Sequence, residues 1–287
     1  MSVLRRLFSE LWCAKPEVSA APGVEAASAA PPDPRELFPE IDAHARAPMD
    51  LHLEILFGGL CIGAERFEDL MQRAMRATSL RVPPLKAVRR RETALHLIHY
   101  FRYARTLEGR WAECGVFAGT SALALCLAAR AESPGFDGTG LHLVDSFEGL
   151  SALAEEDHRA ERRADGATVM VPPPSSRGNF AAPLGQVREA LAEFPGVAFH
   201  PGWIPPVLAG LPETRWSFVH VDVDLYEPTR ACLEYFYPRM VAGGVIVCDD
   251  YGTPAFPGAR RAWREFCEGA KLGFVALPTG QAVLIAS

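Results

Sequence analysis

Apolar and polar positions along this chain follow two rhythms, and the switches between them mark out its elements. Short apolar runs rich in β-branched and aromatic residues occur at Arg110–Cys114, Gly140–Val144, Val197–His200, Ser217–Val221 and Val245–Cys248. They are too short for helices and mostly unbroken, as expected of strands buried on both faces of a parallel sheet. Helical periodicity covers Ala122–Arg130, Leu184–Phe194 and the stretch from Pro228 to about Pro238. Proline is harmless at a helix start, and Gly243-Gly244 turns the chain into the next run. Gly258–Gly269 reads as a further helix. Leu272–Leu277 and Gln281–Ile285 read as two strands joined by Pro278-Thr279-Gly280, an antiparallel hairpin at one sheet edge. This alternation predicts an α/β fold with a mostly parallel sheet.

Ahead of the sheet, Glu65–Thr78 and Lys86–Leu107 carry helical periodicity and are separated by the breaker Val82-Pro83-Pro84. They predict an N-terminal helical layer that covers one end of a crevice or builds a contact between copies of the chain. Met1–Cys13 has the pattern of a short amphipathic helix, and Glu10 spoils it as a signal peptide. Ala14–Pro34 is rich in Ala, Pro and Ser with little to bury, so a disordered leader is expected there. Folding is expected to begin between Pro39 and Leu51. The resulting plan is a leader over 1–48, a helical region over 49–108 and a sheet domain over 109–287. Within the sheet domain, Gly149 to Phe180 breaks the alternation with a charged stretch at Ala154–Asp165 and a breaker run at Pro172–Ser176. A long insertion of this kind predicts a mobile lid at about 150–180.

A chain of 287 residues with 49% hydrophobic content buries one large core. The net charge of −6 and the lack of a basic block exclude nucleic acid as a main partner. Arg89-Arg90-Arg91, the densest basic run, reads as a solvated helix face. Seven cysteines, an odd number without metal-type spacing, predict reduced thiols and a cytoplasmic protein. Cys114, Cys126 and Cys248 lie inside apolar runs and read as small hydrophobes. No apolar run reaches membrane-spanning length.

The chemistry gathers where strands end. One run closes on Asp222 and Asp224, another on Asp249 and Asp250. If these strands are neighbours, four carboxylates meet at one edge, a costly arrangement unless a cation or raised pKa values relieve it. The plainer alternative is that Asp224 caps the following helix and Asp249-Asp250 form a turn. After Arg110–Cys114 comes Gly115-Val116-Phe117-Ala118-Gly119-Thr120-Ser121, a glycine turn that lets a ligand approach the backbone. It lacks the full dinucleotide fingerprint, and Glu113 beside it suits a cationic group better than a phosphate. The next strand ends at Asp145-Ser146-Phe147, where an acid holds a ribose diol in nucleotide-binding α/β units; a helix cap is the alternative. Trp203 is either a stacking surface for an adenine or plain core.

The segments AECGVFAGTSALAL, LVDSFEGL, FHPGWIPPVL and above all HVDVDLYEPTRACLEYFYPRMVAGGVIVCDDYG resemble the macrocin O-methyltransferase (TylF-type) family. The resemblance runs from about Arg110 to Phe266. It implies a Rossmann-like class I methyltransferase sheet, S-adenosylmethionine, Mg²⁺ and methyl transfer to a sugar hydroxyl of a small molecule. By motif it implies metal ligands at Asp222, Asp249 and Asp250 and a general base at Asp224. It implies cofactor contacts at Glu113, Gly115, Thr120, Ser121, Asp145, Ser146 and Trp203, and an assembly of identical chains is expected. Oxygen-only donors favour Mg²⁺ over zinc. The chain departs from the family pattern at Val223, Pro228 and Ala118, and most in the lid, so the acceptor does not carry over. Two alternatives stand beside this reading: methyl transfer to a catechol or other non-sugar hydroxyl, and an inactive Rossmann-like binding module.

Overall fold

The computed structural model describes residues 53, 56–57, 59–81, 84–163 and 165–287. The leader expected over 1–48 and the start of folding expected at 39–51 lie outside them. A short ribbon, β1 (Cys61–Ile62) with β2 (Glu65–Arg66), precedes α1 (Phe67–Ala77) and α2 (Pro84–Ala104). Then follow β3 (Arg110–Cys114), α3 (Thr120–Glu132), β4 (Leu141–Asp145), β5 (Arg159–Arg162), β6 (Thr168–Val171), α4 (Leu184–Ala190) and β7 (Ala198–Pro201). The chain closes with β8 (Trp216–Val221), α5 (Tyr226–Phe236), β9 (Met240–Cys248), α6 (Pro257–Gly269), β10 (Val275–Ala276) and β11 (Ala282–Ile285).

Seven strands form one sheet in the order β10-β11-β9-β8-β3-β4-β7. The five strands from β9 to β7 are parallel, whereas β11 and β10 run antiparallel at one edge. The chain builds outward from β3 through β4 to β7, then returns to lay β8 and β9 on the other side of β3. That reversal is a topological switch point, and ligands bind there at the carboxyl ends of the strands.

Alternate strand residues feed two cores. Leu141, Leu143, Phe218, Val245 and Val247 pack with Phe67, Leu70, Ile98, Phe101 and Leu123 on the face covered by α1, α2 and α3. Ala112, Val144, Val219, Val221 and Ile246 pack with Leu233, Phe236 and Trp263 on the face covered by α5 and α6. Every residue of β8 is buried. The N-terminal helices thus share the core of the sheet, and Phe101 sets its edge against Trp111 and Phe218 at 5.3 and 5.2 Å.

Several expectations need correction. Arg89-Arg90-Arg91 is a solvated face only in part: Arg89 and Arg90 are exposed, Arg90 beside the cleft described below, whereas Arg91 is buried and gives Glu68 of α1 a two-bonded ion pair. Gly243-Gly244 lies inside β9 rather than before it. The register jumps from Trp216↔Met240 to Phe218↔Val245, and Gly243, at φ +78°, absorbs the bulge. β10 holds only two residues, because Leu272 and Phe274 leave the edge to pack against the α5–α6 core. The insertion at 150–180 carries structure of its own: a 3₁₀ turn at Glu155–Asp157 and the hairpin β5–β6. Among the described residues all six cysteines are free thiols.

Candidate active site

The carboxyl ends of β4, β3, β8 and β9 are laced into one floor by backbone bonds. Gly115 N–H donates to Val144 O, Asp222 N–H to Cys114 O and Asp249 N–H to Val221 O, at 2.8–3.0 Å. Gly115 sits at φ +84°, and a Cβ there would lie 1.8 Å from the Asp222 carbonyl oxygen. Only glycine lets the turn after β3 approach the turn after β8 so closely. Above this floor opens a cleft of about 280 Å³.

All four aspartates expected at the strand ends line this cleft. Burial and the neighbouring carboxylates push Asp222, Asp224 and Asp250 well above the usual carboxylate range. Burial works in the same direction on Asp249, but His220, Arg90 and the Gln281 amide outweigh it and hold Asp249 low. Gln281 Nε2 donates to Asp249 Oδ1 at 2.9 Å and to Thr93 O at 3.3 Å, tying that carboxylate to α2. The set suits a hard cation in charge and donor type. As placed, however, no three His, Cys, Asp or Glu side chains among the described residues converge as a metal-holding group.

Asp224 does not cap the helix that follows it. The N-cap position of α5 is Leu225, with no side-chain cap bond of its own. Asp224 instead centres a three-residue turn in which Leu225 N–H reaches back to Val223 O at 2.6 Å. Its φ of +60° is unfavourable for a residue with a Cβ. Its backbone N–H donates to Asp250 Oδ2 at 3.0 Å. The strand therefore ends before the two side chains can share a face, and Asp224 joins the cleft wall from the turn.

The residues expected to contact a cofactor divide into two groups. Gly115, Asp145, Ser146 and Trp203 line the cleft. Asp145 does more than face it. Its Oδ2 accepts from Val116 N–H (2.6 Å) and Phe117 N–H (3.1 Å), and its Oδ1 from Phe147 N–H (2.6 Å). The carboxylate thus stitches the glycine turn to the end of β4. Glu113, Thr120 and Ser121 lie behind the wall. Glu113 is fully buried; its Oε1 accepts from Ser121 Oγ at 2.5 Å, while Oε2 has no hydrogen-bond partner. Thr120 Oγ1 meets Thr78 Oγ1 at 2.7 Å and joins α3 to the end of α1. A buried carboxylate beneath a glycine cradle that a Cβ would fill fits a ligand with a cationic amino group, with His220 as the nearest protein cation to its free oxygen at 3.9 Å.

Four contributors escaped the sequence reading. His220 lies buried between Glu113 Oε2 (3.9 Å) and Asp249 Oδ1 (3.8 Å). Burial opposes its protonation, but the flanking carboxylates outweigh burial and raise its pKa well above the usual value. Register carried the signal, since His220 pairs directly with Glu113 across β8 and β3. Arg90 is the basic side chain on the cleft wall. Phe117 and Phe180 stand there edge to face at 5.9 Å, both substantially exposed and both at positive φ. Exposed aromatic rings on strained backbone are a mark of ligand contact.

Comparison with known proteins agrees with this geometry. A tetracenomycin-type 8-demethyl-8-(2,3-dimethoxy-alpha-L-rhamnosyl)-tetracenomycin-C 4'-O-methyltransferase of Streptomyces olivaceus is 31% identical over 160 residues, 54% of this chain and 58% of the relative. Mycinamicin III 3''-O-methyltransferase of Micromonospora griseorubida is 28% identical over 161 residues, 53% of this chain and 59% of the relative. The chain thus spans less than two thirds of the length of these relatives. Among solved structures, the calicheamicin methyltransferase CalS11 superposes with a TM-score of 0.56 at 23% identity, covering 76% of this chain and 91% of that one. The O-methyltransferase NovP gives 0.55 at 20% identity, over 85% and 99%. These show the class I methyltransferase fold that the resemblance implied. Residues 66–274 match the family described as macrocin-O-methyltransferase (TylF), and the chain belongs to that family.

Proposed function

We propose that this chain is an S-adenosylmethionine-dependent, Mg²⁺-dependent O-methyltransferase acting on a sugar hydroxyl of a glycosylated natural product. The observation that carries the reading is the meeting, in one cleft at the switch point, of the glycine turn after β3 with Asp222, Asp224, Asp249 and Asp250. The names of the two relatives, one an O-methyltransferase of a rhamnosyl-tetracenomycin and the other of mycinamicin III, support the acceptor class.

When bound, the cofactor supplies an electrophilic sulfonium methyl, and Mg²⁺ lowers the pKa of a coordinated hydroxyl. The residues that would hold the cofactor are Gly115 at the cradle, Glu113 toward the amino group, Asp145 and Ser146 toward the ribose, and Trp203 toward the adenine. Thr120 and Ser121 support them from the start of α3. Asp222, Asp249 and Asp250 would offer carboxylate oxygens to the cation. Asp224, set apart by its turn, accepts the proton of the acceptor hydroxyl at a carboxylate oxygen. Phe117 and Phe180 offer an apolar surface to the rest of the acceptor, and the insertion at 150–180 serves as the lid beside it.

Calorimetry with S-adenosylhomocysteine, with and without Mg²⁺, tests the binding half. Labelled cofactor offered with L-rhamnosides and with catechols tests the acceptor. Transfer to a rhamnoside that requires Mg²⁺ is expected. Transfer to catechols alone would move the chain to the non-sugar reading, and no binding of S-adenosylhomocysteine would leave an inactive module.

A further inference from the structure

The insertion at 150–180 is joined to the turn that carries Asp224 by one buried carboxylate. Asp157 is 1% exposed. Its Oδ2 accepts from Ala154 N–H at 2.9 Å and closes its own 3₁₀ turn. Its Oδ1 accepts from Tyr226 N–H at 2.8 Å, 69 residues along the chain. Tyr226 is the first residue of α5, whose start has no local side-chain cap. The first N–H groups of a helix need an acceptor, and a carboxylate there also meets the positive end of the helix dipole. Room for the contact comes from Gly258 at the start of α6: a Cβ there would fall 2.0 Å from Asp157 Oδ1 and 2.9 Å from Tyr226 N. One side chain thus ties together the insertion and the starts of α5 and α6.

The consequence concerns Asp224. An aspartate two residues before a helix is placed to cap it. Here Asp157 does the capping from a distance, and the Asp224 carboxylate faces the cleft instead. The turn centred on Asp224, with its positive φ, persists only where its surroundings fix both ends. Asp250 holds one end through Asp224 N–H; the capped start of α5 holds the other.

We infer that Asp157 is a positioning residue: docked through it, the insertion caps α5 and thereby holds Asp224 in the cleft. Docking of the insertion and placement of the base are then a single event. The inference rests on the reading of Asp224 given above, and the experiment separates the two.

Asp157→Ala, Asp157→Asn and a control in the same turn, Glu155→Ala, are compared with the parent by amide hydrogen exchange, by calorimetry with S-adenosylhomocysteine and by turnover on phenyl α-L-rhamnoside. In Asp157→Ala, exchange across 222–230 is expected to rise at least tenfold. The S-adenosylhomocysteine Kd stays within twofold, and kcat falls at least tenfold with the acceptor KM little changed. Asp157→Asn keeps an oxygen for Tyr226 N–H but not a second acceptor for Ala154 N–H, so it falls between. The same readings on it keep the test independent of whether Asp157→Ala folds. Faster exchange confined to 150–171, or faster exchange at 222–230 with kcat unchanged, would overturn the inference and leave Asp157 a stability contact. A parent that methylates no rhamnoside counts against the acceptor reading, and the exchange at 222–230 then decides the latch by itself.

Discussion

The backbone N–H of Asp224 donates to the Asp250 carboxylate at 3.0 Å, so a residue expected to take the proton is held by one expected to bind the cation. The two roles still separate by substitution, because the contact uses the backbone of Asp224 and not its side chain. Asp224→Asn keeps the turn and is expected to lower kcat by roughly 10²–10⁴ with S-adenosylhomocysteine affinity unchanged. Since Asp157 caps α5, the loss of the Asp224 charge costs little stability. Asp249→Asn is expected to weaken Mg²⁺ activation, with partial rescue at excess Mg²⁺. Turnover against Mg²⁺ concentration for both variants checks the pair. Near-parental turnover of Asp224→Asn, or its full rescue by Mg²⁺, removes Asp224 from the role of base.

His220 is the only link between the buried Glu113 and Asp249 that the described residues provide. Removing a cation from between the buried Glu113 and the partly exposed Asp249 leaves charge without compensation, a loss of up to about 3–5 kcal/mol. His220→Leu, which keeps bulk but not charge, is expected to unfold in chemical denaturation with a loss on that scale. A change within experimental error would mean that the imidazole is neutral and contributes by packing alone.

Much of this architecture was legible in the residues. The boundaries of β3 and α6 and the acidic ends of β8 and β9 follow from run length and from punctuation by Gly, Pro and Asp. Register was not legible, and with it went His220: nothing in a single strand says that Glu113 lies opposite. In the insertion, charge density masks a hairpin. Asp165-Gly166, a turn signature, stands between two short extended runs, and Arg163 and Ala167 close it with a 2.8 Å bond. Asp157 was hidden inside the run EEDHRAERRAD, where one buried carboxylate looks like its solvated neighbours. The burial of Arg91 was hidden in the same way, because its partner Glu68 sits on a different helix.

The approach of Gly115 to Asp222 gives a prediction for the cofactor cradle. Gly115→Ala forces a Cβ against backbone at positive φ, so the turn must move. Affinity for S-adenosylhomocysteine is expected to fall by tenfold or more. Gly185→Ala, in α4 with open space around the added methyl, is the control. It should bind as the parent does and gain up to about 1 kcal/mol of stability. Equal affinity for parent and Gly115→Ala, measured by calorimetry, would place the cofactor elsewhere.

The pH dependence of stability should report a pair of histidines, away from the acids. His142 Nδ1 and His200 Nε2 lie 2.9 Å apart with their rings stacked, and the edge of Trp216 closes on His142. Burial first, then His200 and Arg110, lower the His142 pKa to about 4, and burial also lowers that of His200. In the unfolded chain both return to about 6.5. The folded state therefore binds fewer protons than the unfolded state between these values, and stability falls as the pH drops from 6.5 toward 4. Above 6.5 the pair is neutral in both states and contributes no slope. Melting temperature measured from pH 7.5 to 4.5 should decline more steeply for the parent than for a His142→Gln, His200→Gln variant, which has no imidazole to protonate. The difference should open below pH 6.5. Parallel profiles would show that the stacked pair already shares a proton in the folded protein.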